Sequence, residues 1–181
     1  TAMAVGAKWR LVPLKDDKSH DLVKMEEAIN GKTKIVYVCN PNNPTGTVTP
    51  KKSLFDFCST VSEDVPVFVD EAYIDYIAKY AEADESMVPL VRSGKDVIVA
   101  RTFSKIRAMA GLRVGYLIAQ PHRIKLIENL VRPRMTVSVN SVMAAMSSLE
   151  DETFVQLSKE ETIQARTFTF VALQEMGLNP I

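Results

Sequence analysis

Three short apolar runs, each followed at once by a polar cluster, constrain the fold of this chain more than any other feature. The runs occupy residues 36–39, 67–69 and 97–100. Apolar residues recur at helical spacing between the runs, so strands and helices alternate along the chain. This alternation predicts a parallel sheet with right-handed crossovers. The polar clusters are then expected at the carboxyl ends of neighbouring strands, where open α/β sheets bind ligands.

The flanking segments extend this pattern by one strand on each side, at residues 8–14 and 114–119. The connection from Lys105 to Val114 is too short for a crossover helix, so the last strand is predicted to run antiparallel to residues 97–100. Residues 74–85 lack a clean period and predict a loop with short helical pieces. Helical patterns occupy residues 21–30, 50–61, 86–92, 121–131, 140–149 and 152–176. The predicted fold class is α/β: a three-layer α/β/α arrangement whose mostly parallel sheet carries one antiparallel strand.

Composition excludes several classes of partner. The chain has 181 residues, of which 46% are hydrophobic and 24% are charged, as is ordinary for a soluble globular protein. Lys and Arg number 22, and so do Asp and Glu, so no overall field favours nucleic acid or an anionic membrane. No nucleic-acid or membrane partner is therefore expected, and any anion site must be local.

Cysteines, histidines and apolar runs give no sign of a disulfide, a metal site or a membrane segment. Cys39 and Cys58 lack a Cys-x-x-Cys spacing and are predicted to be reduced core residues. His20 and His122 lack ligand spacing, so no metal is expected. No basic-then-apolar leader opens the chain and no apolar run reaches the roughly 18 residues of a membrane helix. A cytoplasmic location is the expectation.

The lysine loop, residues 101–116, carries the strongest chemical signal. Thr102, Ser104 and Lys105 emerge at the end of a predicted strand, and Arg113 follows eight residues after the lysine. An amine beside hydroxyls and a guanidinium suits a carbonyl compound that bears a phosphate. Taken alone, the same string also fits a solvated lysine between turn residues.

Two further strand ends favour the chemical interpretation, namely Asn43-Pro-Thr-Gly46 and Asp70-Glu-Ala-Tyr73. With Thr102-Phe-Ser-Lys105 and Ala110-Gly-Leu-Arg-Val-Gly-Tyr116, they make the chain resemble the fold-type I aminotransferases that use pyridoxal phosphate. Within them the chain is most similar to the histidinol-phosphate aminotransferase group, from about Lys8 onward.

The resemblance implies an aspartate aminotransferase-like large domain that is incomplete here. The chain begins at Thr1, and at its last residues the family enters a small C-terminal domain, so a fragment is expected. Residues 1–150 are assigned to the cofactor-binding large domain. Residues 151–181 are assigned to a long helix and the start of the small domain.

Four residues acquire reactive or ring-binding roles from the resemblance. Lys105 is implied to be the catalytic amine that engages the aldehyde of pyridoxal phosphate. Asp70 is implied to hold the proton of the ring nitrogen, whereas strand alternation turns Glu71 to the other face. Asn43 and Tyr73 are implied to donate to the phenolic oxygen. The structural alternatives are a turn cap for Asp70, turn chemistry for Asn43 and a core position for Tyr73.

The resemblance also implies a phosphate group of Thr102, Ser104 and Arg113. A buried structural ion pair is the alternative for Arg113. Gly111 and Gly115 are expected to permit a turn and a close approach of the backbone. Arg107 occupies a position where the family often has an uncharged residue, and it receives no role.

The remaining basic cluster, Arg132 and Arg134, is expected to be a solvated helix end, with binding of an acidic substrate as the alternative. The function implied by the resemblance is transamination between an amino acid or amine and a 2-oxo acid. Histidinol phosphate and 2-oxoglutarate are the first candidates, in a homodimer. Alternatives on the same scaffold are a decarboxylase of phosphorylated amino acids and an aromatic aminotransferase. Other classes are a non-catalytic cofactor-sensing domain of a regulator and a truncated domain that binds nothing.

Overall fold

A four-stranded mixed sheet organises the fold in the computed structural model, which describes residues 5–77, 85–131 and 137–180. The strands are β1 (Val36–Cys39), β2 (Val67–Asp70), β3 (Val97–Thr102) and β4 (Gly115–Ile118), in that spatial order. β1, β2 and β3 are parallel, and β4 is antiparallel to β3. The predicted mostly parallel sheet with one antiparallel strand is therefore confirmed.

Helices connect and follow the strands at the predicted places. They are α1 (Leu22–Glu27), α2 (Lys51–Val61), α3 (Ile74–Ile77), α4 (Val88–Arg92), α5 (Pro121–Leu130), α6 (Val139–Leu149) and α7 (Glu152–Glu175). Asp21 caps α1 by accepting a hydrogen bond from the backbone N–H of Lys24. Within the described ranges, no helix combines the length and the apolar character that crossing a membrane requires.

The hydrophobic core lies between one face of the sheet and helices α2 and α4. Alternate strand residues point into it, because side chains on a strand face opposite sides in turn. Its fully buried members include Val38, Val67, Val97, Leu54 and Leu90. Both cysteines, at positions 39 and 58, are buried and free, which confirms the predicted reduced state. The core thus fixes which strand residues face the opposite side, where the candidate site begins.

The strand predicted at residues 8–14 is wrong, since this segment has no regular structure. Trp9 and Leu11 are exposed. A strand needs a neighbour for its backbone hydrogen bonds, and the described part of the sheet ends at β1 without pairing this segment. A local sequence that favours a strand therefore does not suffice to form one here.

Gly115 explains how β4 approaches β3 so closely. A Cβ atom at this position would lie 2.7 Å from the carbonyl oxygen of Arg101, a distance that side chains do not tolerate. The expected close approach at Gly115 is therefore confirmed. At Gly111 the expected turn is present, since residues Ala110–Leu112 form a 3₁₀ turn, but a Cβ there would meet no described atom within 4 Å.

Candidate active site

The carboxyl ends of the parallel strands bring three predicted site residues to the same edge of the sheet. Asp70 is the last residue of β2 and pairs with Cys39 of β1 on one side and Ala100 of β3 on the other. Thr102 ends β3 two residues after Ala100, so its side chain faces the same side of the sheet. Lys105 follows within the next turn. The core faces the opposite side, which leaves this face for polar chemistry.

Asn43, Tyr73 and Lys105, which follow the ends of β1, β2 and β3, form a continuous chain of contacts. The amide nitrogen Nδ2 of Asn43 donates to the hydroxyl oxygen of Tyr73 over 3.1 Å. The ammonium Nζ of Lys105 lies 5.2 Å from the centroid of the Tyr73 ring. Three residues from three separate segments thus present an amide, a hydroxyl and an amine to one region.

The Asp70 carboxylate is held by donors on both of its oxygens. Oδ1 accepts the backbone N–H of Ala72 over 3.0 Å, so the proposed turn cap is present. Oδ2 accepts the hydroxyl of Tyr37 over 2.9 Å. An ionised carboxylate has about four acceptor sites, so two such donors leave capacity for a protonated ring nitrogen. The turn cap and the cofactor role are therefore compatible.

Thr102, Ser104 and Arg113 line one open groove of about 730 Å³ beside β4. The hydroxyl of Thr102 accepts the backbone N–H of Ser104 over 3.0 Å, which fixes the two residues relative to each other. Arg113 is exposed and donates to the carbonyl of Ala110 over 3.1 Å. Its exposure excludes the buried ion pair that was the alternative for this arginine.

Glu71 faces away from Asp70, as strand alternation predicted, and is buried in a polar network. Its carboxylate accepts hydrogen bonds from the Ser86 hydroxyl, the Met87 backbone N–H at 2.7 Å and the Arg101 Nε at 3.0 Å. The side chains of Glu71 and Arg101 are 1% and 19% exposed. This network joins the residue after Asp70 to the residue before Thr102.

Two residues with a structural part in the site were not assigned from the sequence. Tyr37 contacts the Asp70 carboxylate. It lies two residues before Cys39 on β1, and this two-residue spacing was the sequence signal that places both side chains on the Asp70 face of the sheet. Arg107 donates to the carbonyl of Ser148 near the end of α6 and lies over the ring of Phe103. It ties the lysine loop to α6 through a contact far apart in sequence, which no local pattern encodes.

Ala108 adopts a left-handed backbone conformation within the lysine loop, with φ of 54°. This conformation crowds the Cβ of any residue except glycine and costs about 1–2 kcal/mol. We expect Ala108→Gly to raise the free energy of unfolding of the whole protein by about 0.5–1 kcal/mol, since glycine relieves the crowding but loses more chain entropy. Denaturant unfolding measures the change.

Ala110→Gly is the matched control, because Ala110 lies in the same loop but has no positive φ. It should destabilise the protein by about 0.5–1 kcal/mol. Equal effects of the two glycine substitutions would contradict the strain assigned to position 108.

Some sequence predictions fall on residues that the structure leaves undescribed. Arg132 and Arg134 lie in residues 132–136, so their expected role as a solvated helix end stays a prediction. The second half of the predicted loop at residues 74–85 likewise lies outside the described residues, apart from residue 85. Its first half contains α3, in agreement with the expected short helical pieces.

The described part of the chain thus combines an α/β sheet with a lysine loop after β3, an acidic end of β2 and a groove lined by hydroxyls and a guanidinium. The profile of the family described as aminotransferase class I and II matches residues 2–181. The chain belongs to this family.

Curated relatives and solved structures agree with this assignment. The histidinol-phosphate aminotransferase of Halalkalibacterium halodurans is 44% identical over 178 residues, which cover 98% of this chain and 47% of the relative. That of Bacillus subtilis is 40% identical over 160 residues, covering 88% of this chain and 44% of the relative. The structure of histidinol-phosphate aminotransferase from Sinorhizobium meliloti in complex with pyridoxal-5'-phosphate superposes with a TM-score of 0.86 at 25% identity. The match covers 97% of this chain and 47% of that structure.

These coverages show that the chain spans about half the length of the relatives it matches, as a fragment would. The similarity of the folds also confirms the predicted aspartate aminotransferase-like α/β/α class.

Proposed function

We propose that the whole protein is a pyridoxal-phosphate-dependent aminotransferase, most similar in specificity to histidinol-phosphate:2-oxoglutarate enzymes. The observation that carries the proposal is the contact chain from Asn43 through Tyr73 to Lys105, at the same sheet edge where Asp70 ends β2. The names of the relatives support the reaction type and the first candidate substrate.

The donors and acceptors present fit pyridoxal phosphate group by group. The Asp70 carboxylate has free acceptor capacity for a protonated ring nitrogen. The Asn43 amide and the Tyr73 hydroxyl lie 3.1 Å apart and provide two donors for one oxygen. Lys105 provides an exposed primary amine for the aldehyde. Each part of the cofactor therefore has a residue of suitable chemistry.

Thr102, Ser104 and Arg113 supply the remaining function, which is to bind a phosphate. Two hydroxyls and a planar guanidinium form charge-assisted hydrogen bonds with phosphate oxygens. The three residues line one groove, which is where we expect the phosphate to bind. Because the overall charge is balanced, this local arrangement and not a general positive field selects the anion.

Bound pyridoxal phosphate supplies an electrophilic aldehyde and a ring that accepts electrons from the reacting carbon. The Lys105 Nζ would hold the cofactor at its aldehyde carbon and, as a free amine, would accept a proton at the substrate carbon. Asp70 would hold a proton on the ring nitrogen, and Asn43 and Tyr73 would donate hydrogen bonds to the phenolic oxygen. In two half-reactions the amino group leaves one substrate and enters a 2-oxo acid.

The remaining expectations for the whole protein stay predictions. They are homodimeric assembly, a cytoplasmic location and a domain division near residue 150, close to the start of α7. The amino-acid and 2-oxo-acid partners follow from the proposed reaction.

The test is an amino-transfer assay with the whole protein loaded with pyridoxal phosphate. Histidinol phosphate and 2-oxoglutarate are supplied, and glutamate formation is measured over time. We expect glutamate to form with histidinol phosphate as donor and much more slowly with phenylalanine or tyrosine.

Other outcomes select the alternatives. Faster transfer from the aromatic amino acids would identify an aromatic aminotransferase. Release of carbon dioxide without glutamate would identify a decarboxylase. Tight cofactor binding without turnover of any donor would identify a sensing domain, and absence of cofactor binding would overturn the proposal altogether.

A further inference from the structure

Tyr37 is an unassigned residue that contacts the centre of the candidate site. It lies on β1, where strand alternation places it on the same face as Cys39 and therefore as Asp70. Its hydroxyl donates to Oδ2 of Asp70 over 2.9 Å. The bond joins neighbouring strands. Its acceptor is the carboxylate that is proposed to bind the ring nitrogen of the cofactor.

The ring of Tyr37 is held in place by its cross-strand neighbour. Tyr37 pairs with Phe68 of β2, and the two rings stack with centroids 5.8 Å apart and planes inclined by 20°. Aromatic pairs on adjacent strands stabilise each other's orientation. The hydroxyl therefore reaches Asp70 from a fixed position on the sheet, although the side chain is 56% exposed.

The electrostatics keep Tyr37 a donor. Burial of its hydroxyl end and the adjacent Asp70 carboxylate raise the pKa of Tyr37 well above its usual range. The buried Cys39 thiol lies in the same group, and burial raises its pKa as well. Tyr37 and Cys39 thus both stay neutral. Among the described residues, the groups that act on the Tyr37 hydroxyl are the Asp70 carboxylate and the Cys39 thiol.

We propose that Tyr37 is a positioning residue that fixes the orientation of the Asp70 carboxylate for the ring nitrogen of pyridoxal phosphate, an inference that rests on the proposed function. The backbone of Ala72 holds Oδ1 and the Tyr37 hydroxyl holds Oδ2. With both oxygens engaged, the carboxylate cannot rotate freely, and its remaining lone pairs keep a constant direction. Preorganised acceptors of this kind bind a cationic group without a further cost of ordering.

The test uses Tyr37→Phe in the whole protein, which removes one hydroxyl and keeps the ring on Phe68. We expect the dissociation constant of pyridoxal phosphate to rise about three- to tenfold, less than for a direct hydrogen bond to a charge, because Tyr37 acts on the cofactor only through the orientation of Asp70. A second readout is the ¹⁵N resonance of the ring nitrogen in labelled cofactor, which should move toward the value of unprotonated pyridine. A purely structural role would leave this resonance unchanged.

A double-variant cycle with Asp70→Asn separates an effect through Asp70 from any other. In the Asp70→Asn background, Tyr37→Phe should change the dissociation constant by less than about twofold, since the carboxylate that would hold the ring nitrogen is already lost. Ser93→Ala is the control: the Ser93 hydroxyl donates to the carbonyl of Leu90 at the end of α4, on the core side of the sheet, and its removal should leave the ¹⁵N resonance unchanged.

The outcomes separate this inference from the proposed function. Wild-type protein that fails to bind pyridoxal phosphate overturns both. Wild-type binding together with an unaltered constant and resonance in Tyr37→Phe overturns the inference alone. An equal loss in both backgrounds also overturns it, because the effect would then not pass through Asp70.

Discussion

Replacing Lys105 by alanine should abolish covalent attachment of pyridoxal phosphate and lower kcat of the whole protein by about 10³- to 10⁴-fold. The amine has two tasks in the proposed reaction, attachment of the cofactor and transfer of a proton at the substrate carbon, and general acid–base catalysis alone contributes up to about 10⁴-fold. Borohydride reduction followed by peptide mass analysis locates the attachment. Wild-type protein should carry a reduced pyridoxyl group on the peptide containing Lys105, and the variant should carry none.

Two further variants test whether the loss of activity in Lys105→Ala is due to the missing nucleophilic amine. Lys105→Arg keeps a positive charge beside the Tyr73 ring but lacks a nucleophilic amine, so it should fail as completely as alanine. Lys52→Ala removes an exposed lysine paired with Asp56 on α2 and should behave like wild type. Substantial activity in Lys105→Arg, or the label on another lysine, would refute the assignment of the catalytic amine.

The arrangement of the candidate site was largely predictable, because it depends on where strands end. Apolar runs mark β1, β2 and β3, and parallel strands bring their carboxyl ends to one edge. Asp70 and Thr102 were therefore expected on neighbouring strands, and the structure places them there. The opposite orientation of Glu71 followed from the two-residue period of a strand.

The unpredicted features all depend on contacts between distant segments. The hydrogen bond from Tyr37 to Asp70 requires the register of β1 against β2, which the sequence does not specify. The bond from Arg107 to Ser148 joins residues that are 41 positions apart in the sequence. Local sequence patterns do not encode a contact between such distant residues. The strand predicted at residues 8–14 failed for the same reason. The local sequence favours a strand there, but it does not show whether a neighbouring strand is available for pairing.

The strained backbone conformations in the lysine loop could not be predicted from the sequence either. Ala108 and Arg113 have positive φ values, although neither residue type prefers that conformation. Glycine or asparagine at these positions would have indicated a left-handed turn. Here the loop is imposed by its surroundings, and Phe103 and Val114 at its two ends are buried. Packing at the ends of the loop, and not its own residues, determines the path between them.

Glu71→Ala should lower the free energy of unfolding of the whole protein by about 3–5 kcal/mol, the largest stability change predicted for this chain. The substitution leaves the Arg101 guanidinium, which is 19% exposed, without its carboxylate. Removing one partner of a buried ion pair typically costs this much, because the other charge stays buried and unpaired. The Met87 backbone N–H and the Ser86 hydroxyl also lose an acceptor. Denaturant unfolding at neutral pH measures the difference.

Glu63→Ala provides the matched control, since it breaks an ion pair with Lys95 in which the side chains are 66% and 29% exposed. Such a surface pair contributes at most about 1 kcal/mol. Glu71→Gln keeps the shape of the side chain and some of its hydrogen bonds but removes the charge. Its decrease in the free energy of unfolding should therefore lie between the decreases caused by the two alanine substitutions. If Glu71→Ala were no worse than Glu63→Ala, Glu71 would not be holding Arg101. The ends of β2 and β3 would then owe their alignment to the backbone ladder alone, because Glu71 and Arg101 are the side chains that link the residue after Asp70 to the residue before Thr102.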